Sequence, residues 1–222
     1  MIKGLIFDVD GTLVSLKVDV ERLRSITTKA LVELGFDLSF MNEGNLYTQD
    51  IIDRAKLQVD AGLVKADFRT VTSRLNRALD ELEMDWNAQA EPIPDTAKVL
   101  AHLRSRRIKL ATLTNSGRAP SEWLLKKYGL LHYFDFTLTR DDVPAMKPRR
   151  DGMLKAISMM GFPQDQVLYV GDSIIDVKAA KAAGLRIASV TTGRYPPERL
   201  TQEGSDYVLG SLSDLLPLTA RV

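Results

Sequence analysis

The feature that most constrains the fold of this chain is a series of short apolar segments, each ended by polar residues or glycine. These segments lie at residues 2–7, 108–113, 134–138, 166–170, 186–190 and 207–209. Segments of this length and composition are typical of buried strands. Segments with helical periodicity alternate with them, at residues 96–106, 121–128, 152–160 and 174–183. The alternation predicts an α/β fold in which helices cover both faces of a mainly parallel sheet.

A long insert interrupts this alternation after the first strand. It contains only helical patterns, which lie at residues 20–34, 48–61 and 66–82. Pro92 and Pro94 then mark the return to the α/β pattern. We therefore predict two domains: a Rossmann-like three-layer α/β core formed by residues 1–16 and 88–222, and a small α-helical cap domain formed by residues 17–87.

The composition excludes several kinds of site. The chain has no cysteine, which excludes a thiol nucleophile, a disulfide framework and a Cys-ligated metal centre. It has only 2 histidines, so a bound metal is expected to be a hard ion with oxygen ligands, such as Mg²⁺. The formal net charge is +1, and neither nucleic acid nor a membrane surface is expected as a partner. With no apolar span or signal-peptide pattern, a cytoplasmic location is expected.

Four of the predicted strand ends carry, or lead to, polar side chains. They are Asp8, Asp10, Thr114, Asn115, Lys147, Asp172 and Asp176. Open parallel sheets bind ligands outside the carboxyl ends of their strands, so these side chains are expected to lie together. Carboxylates gathered in a dry crevice repel one another, and a divalent cation relieves that repulsion. Lys147 adds positive charge for an anionic substrate. A phosphate ester is the substrate class that uses both the divalent cation and the lysine.

Four motifs in this order resemble those of the haloacid dehalogenase-like (HAD) hydrolase superfamily. Residues 7–13 (FDVDGTL) are similar to the first motif, D-x-D-G-T, and residues 114–115 (TN) to the second. Residues 147–148 (KP) are similar to the third motif, and residues 171–176 (GDSIID) to the fourth. The helical insert between the first and second motifs resembles the cap of the phosphoglycolate phosphatase and β-phosphoglucomutase branch.

The resemblance implies a Mg²⁺-dependent phosphatase that acts through an aspartyl-phosphate intermediate. Asp8 would be the nucleophile. Asp10 would protonate the leaving group and then take a proton from water. The Asp8 side chain, the main-chain carbonyl of Asp10 and the Asp172 side chain would hold Mg²⁺. Asp176 would support the metal site or orient Lys147.

The resemblance also implies how the phosphoryl group is bound. Thr114, Asn115 and Lys147 would contact its oxygens, and Thr114 and Lys147 would stabilise the charge that shifts in the transition state. The expected substrate is a small phosphorylated metabolite, such as phosphoglycolate or a sugar phosphate. Cap side chains are expected to select its leaving group.

Each of these residues also has a purely structural interpretation. Asp-x-Asp-Gly can begin a calcium loop, although the remaining ligands of such a loop are missing here. In the alternative interpretation Asp172 is a helix N-cap, Asp176 is a solvated helix residue, Thr114 caps a turn and Lys147 lies on the surface. The arginines at positions 149–150 are expected to face solvent.

Three alternative functions are compatible with the fold. A phosphomutase would return the phosphoryl group to a sugar, and the four motifs do not separate it from a phosphatase. A dehalogenase would attack carbon with Asp8, but displacing halide needs neither Asp10 as an acid nor Mg²⁺. A non-catalytic binding or regulatory member of the fold would be favoured by the loss of Asp8 or Asp10, and both are present.

Overall fold

Two compact units make up the protein in the computed structural model, which describes residues 1–16, 18–42 and 46–221. One unit combines residues 1–17 and 89–222, and the other consists of residues 18–88. Lys17, the predicted first residue of the cap, lies outside the described residues. Within the described residues, no helix is both long and apolar enough to cross a membrane.

The strands form one parallel sheet and one short antiparallel pair. They are β1 (Gly4–Phe7), β2 (Val14–Ser15), β3 (Glu91–Pro92), β4 (Lys109–Leu113), β5 (Phe136–Leu138), β6 (Val167–Gly171), β7 (Arg186–Val190) and β8 (Tyr207–Leu209). In the described part of the chain, the parallel sheet has six strands in the order β5–β4–β1–β6–β7–β8. Phe7 lies opposite Thr112 of β4 and Val170 of β6. The carboxyl ends of β1, β4 and β6 are therefore neighbours.

Successive side chains of each strand alternate between two hydrophobic cores, one on each face of the sheet. Leu5 and Phe7 of β1 belong to one core, and Ile6 belongs to the other. All three are fully buried. A strand that is buried on both faces has to be apolar at every position, which explains the continuous apolar run of β1. The predicted α/β fold with a mainly parallel sheet is confirmed.

Helices cover the sheet in the first unit and form the second unit. Those of the second unit are α1 (Val20–Val32), α2 (Thr48–Asp60) and α3 (Phe68–Ala88); those of the first are α4 (Thr96–Ser105), α5 (Arg118–Lys127), α6 (Asp151–Met160), α7 (Ile174–Ala182), α8 (Pro197–Glu203) and α9 (Leu215–Arg221). Gly161 ends α6 in a left-handed conformation, which is common for glycine at a helix end. Asp95 precedes α4 and is of a residue type that favours N-caps, but its φ of 63° is left-handed and its side chain does not cap the helix. It accepts a hydrogen bond from Lys98 instead.

The second unit has a helical core of its own. α1 begins after Asp19, whose side chain accepts a hydrogen bond from the Arg22 N–H (2.9 Å). Leu31 of α1, Ile51 of α2 and Val71 of α3 belong to one apolar cluster. α3 extends well beyond its predicted end at residue 82 because no glycine or proline interrupts the residues that follow.

Candidate active site

Asp8 lies directly after β1, at the carboxyl edge of the sheet. Its N–H donates to the Val170 carbonyl oxygen of β6 (2.8 Å), which holds the backbone in register. The chain then turns, and the Gly11 N–H donates to the Val14 carbonyl oxygen (2.7 Å). Gly11 has a φ of 85°, a left-handed conformation that favours glycine. The turn leaves Asp8 buried and Asp10 half-buried.

Lys147 is a buried lysine whose ammonium group lies between two carboxylates. Its Nζ is 2.8 Å from Asp8 Oδ1 and 2.7 Å from Asp176 Oδ1. The same nitrogen lies 2.9 Å from the Tyr169 hydroxyl oxygen and 3.2 Å from the Leu113 carbonyl oxygen. The residue is only 4% exposed, so the alternative interpretation of a surface lysine is wrong.

Three buried carboxylates approach one another around this lysine. One oxygen each from Asp8, Asp172 and Asp176 lies within 4.8 Å of the others. Asp172 accepts a hydrogen bond from Thr12 Oγ1 (3.1 Å). Ser173 is the N-cap of α7: its side chain accepts a hydrogen bond from the Asp176 N–H, and its own N–H donates to the Asp176 side chain. The interpretation of Asp172 as the cap is therefore wrong. Asp176 is fully buried and therefore not a solvated helix residue. A set of oxygen donors with excess negative charge suits a hard divalent cation.

The Asp10 carboxylate is held by hydroxyl groups of the loop that follows β4. Its Oδ2 accepts a hydrogen bond from Ser116 Oγ (2.7 Å) and lies 3.5 Å from Thr114 Oγ1. Thr114 Oγ1 also accepts a hydrogen bond from the Ser116 N–H (3.0 Å). Thr114 therefore closes a turn, as its structural interpretation predicted, and it faces Asp10 as well.

The Asn115 side chain binds the backbone of Lys147. Asn115 Nδ2 donates to the Lys147 carbonyl oxygen (2.9 Å), and the Lys147 N–H donates to Asn115 Oδ1 (2.9 Å). Both polar atoms of the amide are thus used to hold the lysine-bearing loop. The two bonds use one of the two Nδ2 protons, so a phosphate contact by Asn115 can come from the other proton or from its main-chain N–H. The arginines at positions 149–150, beyond this loop, are exposed as predicted.

Two glycines leave the space that Asp172 occupies. A Cβ atom on Gly11 or on Gly193 would lie less than 3.0 Å from an Asp172 carboxylate oxygen, closer than real Cβ atoms approach. Thr192 Oγ1 donates to the Gly11 carbonyl oxygen (2.6 Å), which ties the loop after β7 to the loop after β1. The two loops together enclose the Asp172 carboxylate.

Burial dominates the electrostatics of these groups. It raises the pKa of Asp8 well above its ordinary value, although the Lys147 ammonium lowers it. Burial and then the Asp176 carboxylate raise the pKa of Asp172 to about 7. Burial also raises the pKa of Asp10, against the effect of its hydrogen bonds. Burial lowers the pKa of Lys147, but the nearby carboxylates outweigh it and raise that pKa above its ordinary value. One ammonium group therefore faces several carboxylates that compete for protons or for a cation.

The sequence analysis missed three residues of the site. Tyr169 lies inside the apolar run of β6 and is fully buried. A tyrosine in such a run could have been identified as a site residue, because a buried hydroxyl needs a hydrogen-bond partner. Ser116 and Gly193 lie in turns that follow β4 and β7. Their position after a strand end is the same signal that identified Thr114.

The fold and the site define a class of α/β enzyme in which carboxylates and a lysine gather at the carboxyl edge of a parallel sheet. The family model of the haloacid dehalogenase-like hydrolases matches residues 2–184, and the chain belongs to this family.

Relatives over nearly the whole chain are phosphatases. The phosphoglycolate phosphatase of Cereibacter sphaeroides is 31% identical over 87% of this chain and 88% of that protein. The glyceraldehyde 3-phosphate phosphatase of Methanocaldococcus jannaschii is 28% identical over 98% of this chain and 97% of that protein. The crystal structure of a hydrolase from Pseudomonas syringae matches with a TM-score of 0.66 at 23% identity, over 99% of both chains. The predicted family and the predicted enzyme class, a phosphoric monoester hydrolase, are confirmed.

Proposed function

We propose that this protein is a Mg²⁺-dependent phosphatase that hydrolyses a small phosphorylated metabolite through an aspartyl-phosphate on Asp8. The observation that carries the proposal is the contact of the buried Asp8 carboxylate with the Lys147 ammonium (2.8 Å), beside two further buried carboxylates. A nucleophilic carboxylate has to be ionised, and a lysine and a cation favour that state in a buried site.

The metal would be held by oxygen ligands only. We assign this role to the side chains of Asp8 and Asp172 and to the main-chain carbonyl of Asp10. Asp176 is assigned to support, because its Oδ1 is in contact with Lys147 and its Oδ2 accepts the Ser173 N–H (3.1 Å). Bound Mg²⁺ would neutralise charge on the nucleophile and on the phosphoryl oxygens.

Chemistry would proceed in two displacements at phosphorus. In the first, an Asp8 carboxylate oxygen bonds to phosphorus as the ester P–O bond breaks, and the leaving oxygen takes the proton of the Asp10 carboxyl. In the second, Asp10 accepts a proton from water as the water oxygen bonds to phosphorus. The aspartyl P–O bond breaks, which releases inorganic phosphate and restores both aspartates. The raised pKa of Asp10 suits its starting role as an acid.

Phosphoryl oxygens would be bound by Lys147, by the Thr114 hydroxyl and by the main chain at Asn115. The preference for a small metabolite rests on the relatives, two of which are named for phosphoglycolate and glyceraldehyde 3-phosphate. Transfer to a second sugar hydroxyl, as in a phosphomutase, would use the same core residues. The proposal therefore includes a small substrate with a single phosphate ester. It also includes a cytoplasmic location for the protein.

A phosphate-release assay tests the proposal. Purified protein is incubated with phosphoglycolate, glyceraldehyde 3-phosphate, hexose phosphates and an aryl phosphate, with Mg²⁺ or with EDTA. We expect release from at least one ester with Mg²⁺, loss of release in EDTA, and no release by Asp8→Asn. A sugar phosphate that is isomerised without phosphate release would instead support the phosphomutase. Full activity in EDTA would overturn the metal assignment.

A further inference from the structure

We propose that Tyr169 is a positioning residue that frees one proton of Lys147 for the substrate's phosphoryl group. This inference rests on the proposed function. The hydrogen bonds of the Tyr169 hydroxyl join it to Lys147, Asp176 and Leu113, and none of these three is a proposed ligand of the metal.

The argument starts from a count of protons and acceptors. Four acceptors lie within 3.2 Å of Lys147 Nζ, which carries three protons. They are Asp8 Oδ1, Asp176 Oδ1, the Tyr169 hydroxyl oxygen and the Leu113 carbonyl oxygen. The hydroxyl supplies the fourth proton, either to Asp176 Oδ1 (3.0 Å) or to the Leu113 carbonyl oxygen (3.2 Å). Every acceptor is then satisfied.

A phosphoryl oxygen would be a fifth acceptor. Lys147 can give it the proton that was directed at Tyr169. Its other two protons then serve Asp8 and whichever of Asp176 and Leu113 the hydroxyl does not serve. Both carboxylates and the carbonyl keep a donor in this exchange, because the hydroxyl still donates to Asp176 or to Leu113. Without the hydroxyl, the three protons of Lys147 would all serve Asp8, Asp176 and Leu113. Withdrawing one of them would leave a buried acceptor without this partner.

The tyrosine is well placed for this role because its ring is packed inside the core. Tyr169 is fully buried and belongs to the same hydrophobic core as Ile6 and Leu113. It lies opposite Ile6 in the register of β6 with β1. Lys147 Nζ is 5.6 Å from the centroid of its ring. A hydroxyl on a ring held in this way has a fixed position, as a residue that orients a reacting group requires.

Tyr169→Phe tests the inference, because it removes the hydroxyl and keeps the ring. We expect KM for the best phosphate ester to rise about tenfold and kcat to stay within about threefold of the wild type. The inhibition constant of inorganic phosphate should rise by a similar factor. Tyr207→Phe, on β8 of the same sheet, is the control and should leave all three values unchanged.

The readouts separate positioning from a structural role. Partial unfolding lowers the apparent kcat and leaves KM and the phosphate inhibition constant unchanged, so that result would overturn the inference. Unchanged constants would overturn it as well. If the wild type releases phosphate from no ester, the proposed function fails, but binding of inorganic phosphate measured by calorimetry still tests Tyr169. Weaker binding to Tyr169→Phe than to Tyr207→Phe would support its role.

Discussion

Asn115 and Lys147 are joined by a pair of hydrogen bonds, each 2.9 Å long, between the amide side chain of the first and the backbone of the second. The pair connects the loop after β4 to the segment that carries the buried ammonium group. The position of Lys147 Nζ between Asp8 and Asp176 therefore depends on Asn115, although these two hydrogen bonds reach neither carboxylate.

Asn115→Ala is expected to lower kcat/KM by about 10- to 100-fold, because both bonds to the Lys147 backbone are lost and small displacements of a reacting group are costly. Steady-state kinetics with the best ester measure the effect. Gln164→Ala is a matched control: its side-chain amide donates to the Ala183 carbonyl oxygen (3.0 Å), outside the site. Equal values of kcat/KM for the two variants would contradict a positioning role for Asn115.

Asp10→Asn is expected to separate alkyl from aryl phosphates. An alkyl ester leaves as a strongly basic alkoxide, so the loss of the acid should slow it by about 10²–10⁴-fold. An aryl ester leaves as a stabilised phenolate, and its first step should suffer less. The phosphoenzyme then accumulates because its hydrolysis still lacks a base.

Rapid-quench kinetics should therefore show a burst of phenol followed by slow turnover in Asp10→Asn. Asp8→Asn is the control and should show neither burst nor turnover, since an amide is a poor nucleophile. Equal slowing of both substrate types by Asp10→Asn, with no trapped phosphoenzyme, would show that Asp10 is not the acid and base.

Gly193→Ala is expected to weaken Mg²⁺ binding, because the new Cβ would occupy the space of the Asp172 carboxylate. Mutating a residue that positions a metal ligand typically costs about 10–100-fold in metal affinity. The Mg²⁺ concentration that gives half-maximal activity measures the effect. Gly210→Ala is the control, since a Cβ there would lie at an ordinary contact distance of 3.5 Å from Asp214 Oδ2. Unchanged Mg²⁺ dependence of Gly193→Ala would argue against Asp172 as a ligand.

The affinity for Mg²⁺ should fall as the pH falls below 7. The pKa of Asp172 is raised to about 7 by burial and by Asp176, so the metal-free carboxyl is protonated below that pH. It has to lose this proton to bind the metal. The dissociation constant should rise about tenfold between pH 8 and pH 6 for one such proton. Calorimetric titrations at both pH values measure this change, and an affinity that is constant across the range would rule out the linkage.

Sequence patterns determined the general architecture and most of the site. The apolar runs of β1 and β6 reflect burial on both faces of a sheet, which is a local property of each strand. Asp8 and Asp172 could be predicted as neighbours because parallel strands bring their carboxyl ends to one edge. Asp95 was harder to predict, because its left-handed backbone prevents the capping bond that its residue type favours.

Only the tertiary structure decided which polar atoms meet inside the site. The pattern of β6 identifies Tyr169 as buried, but the partner of its hydroxyl depends on where the loop that carries Lys147 returns to the sheet. Gly193 meets Asp172 because β7 lies beside β6, and strand order is set by the crossovers of the whole chain. A local pattern records whether a side chain is buried or exposed. Contacts between distant segments depend on the packing of the complete sheet, and they are therefore absent from any single stretch of sequence.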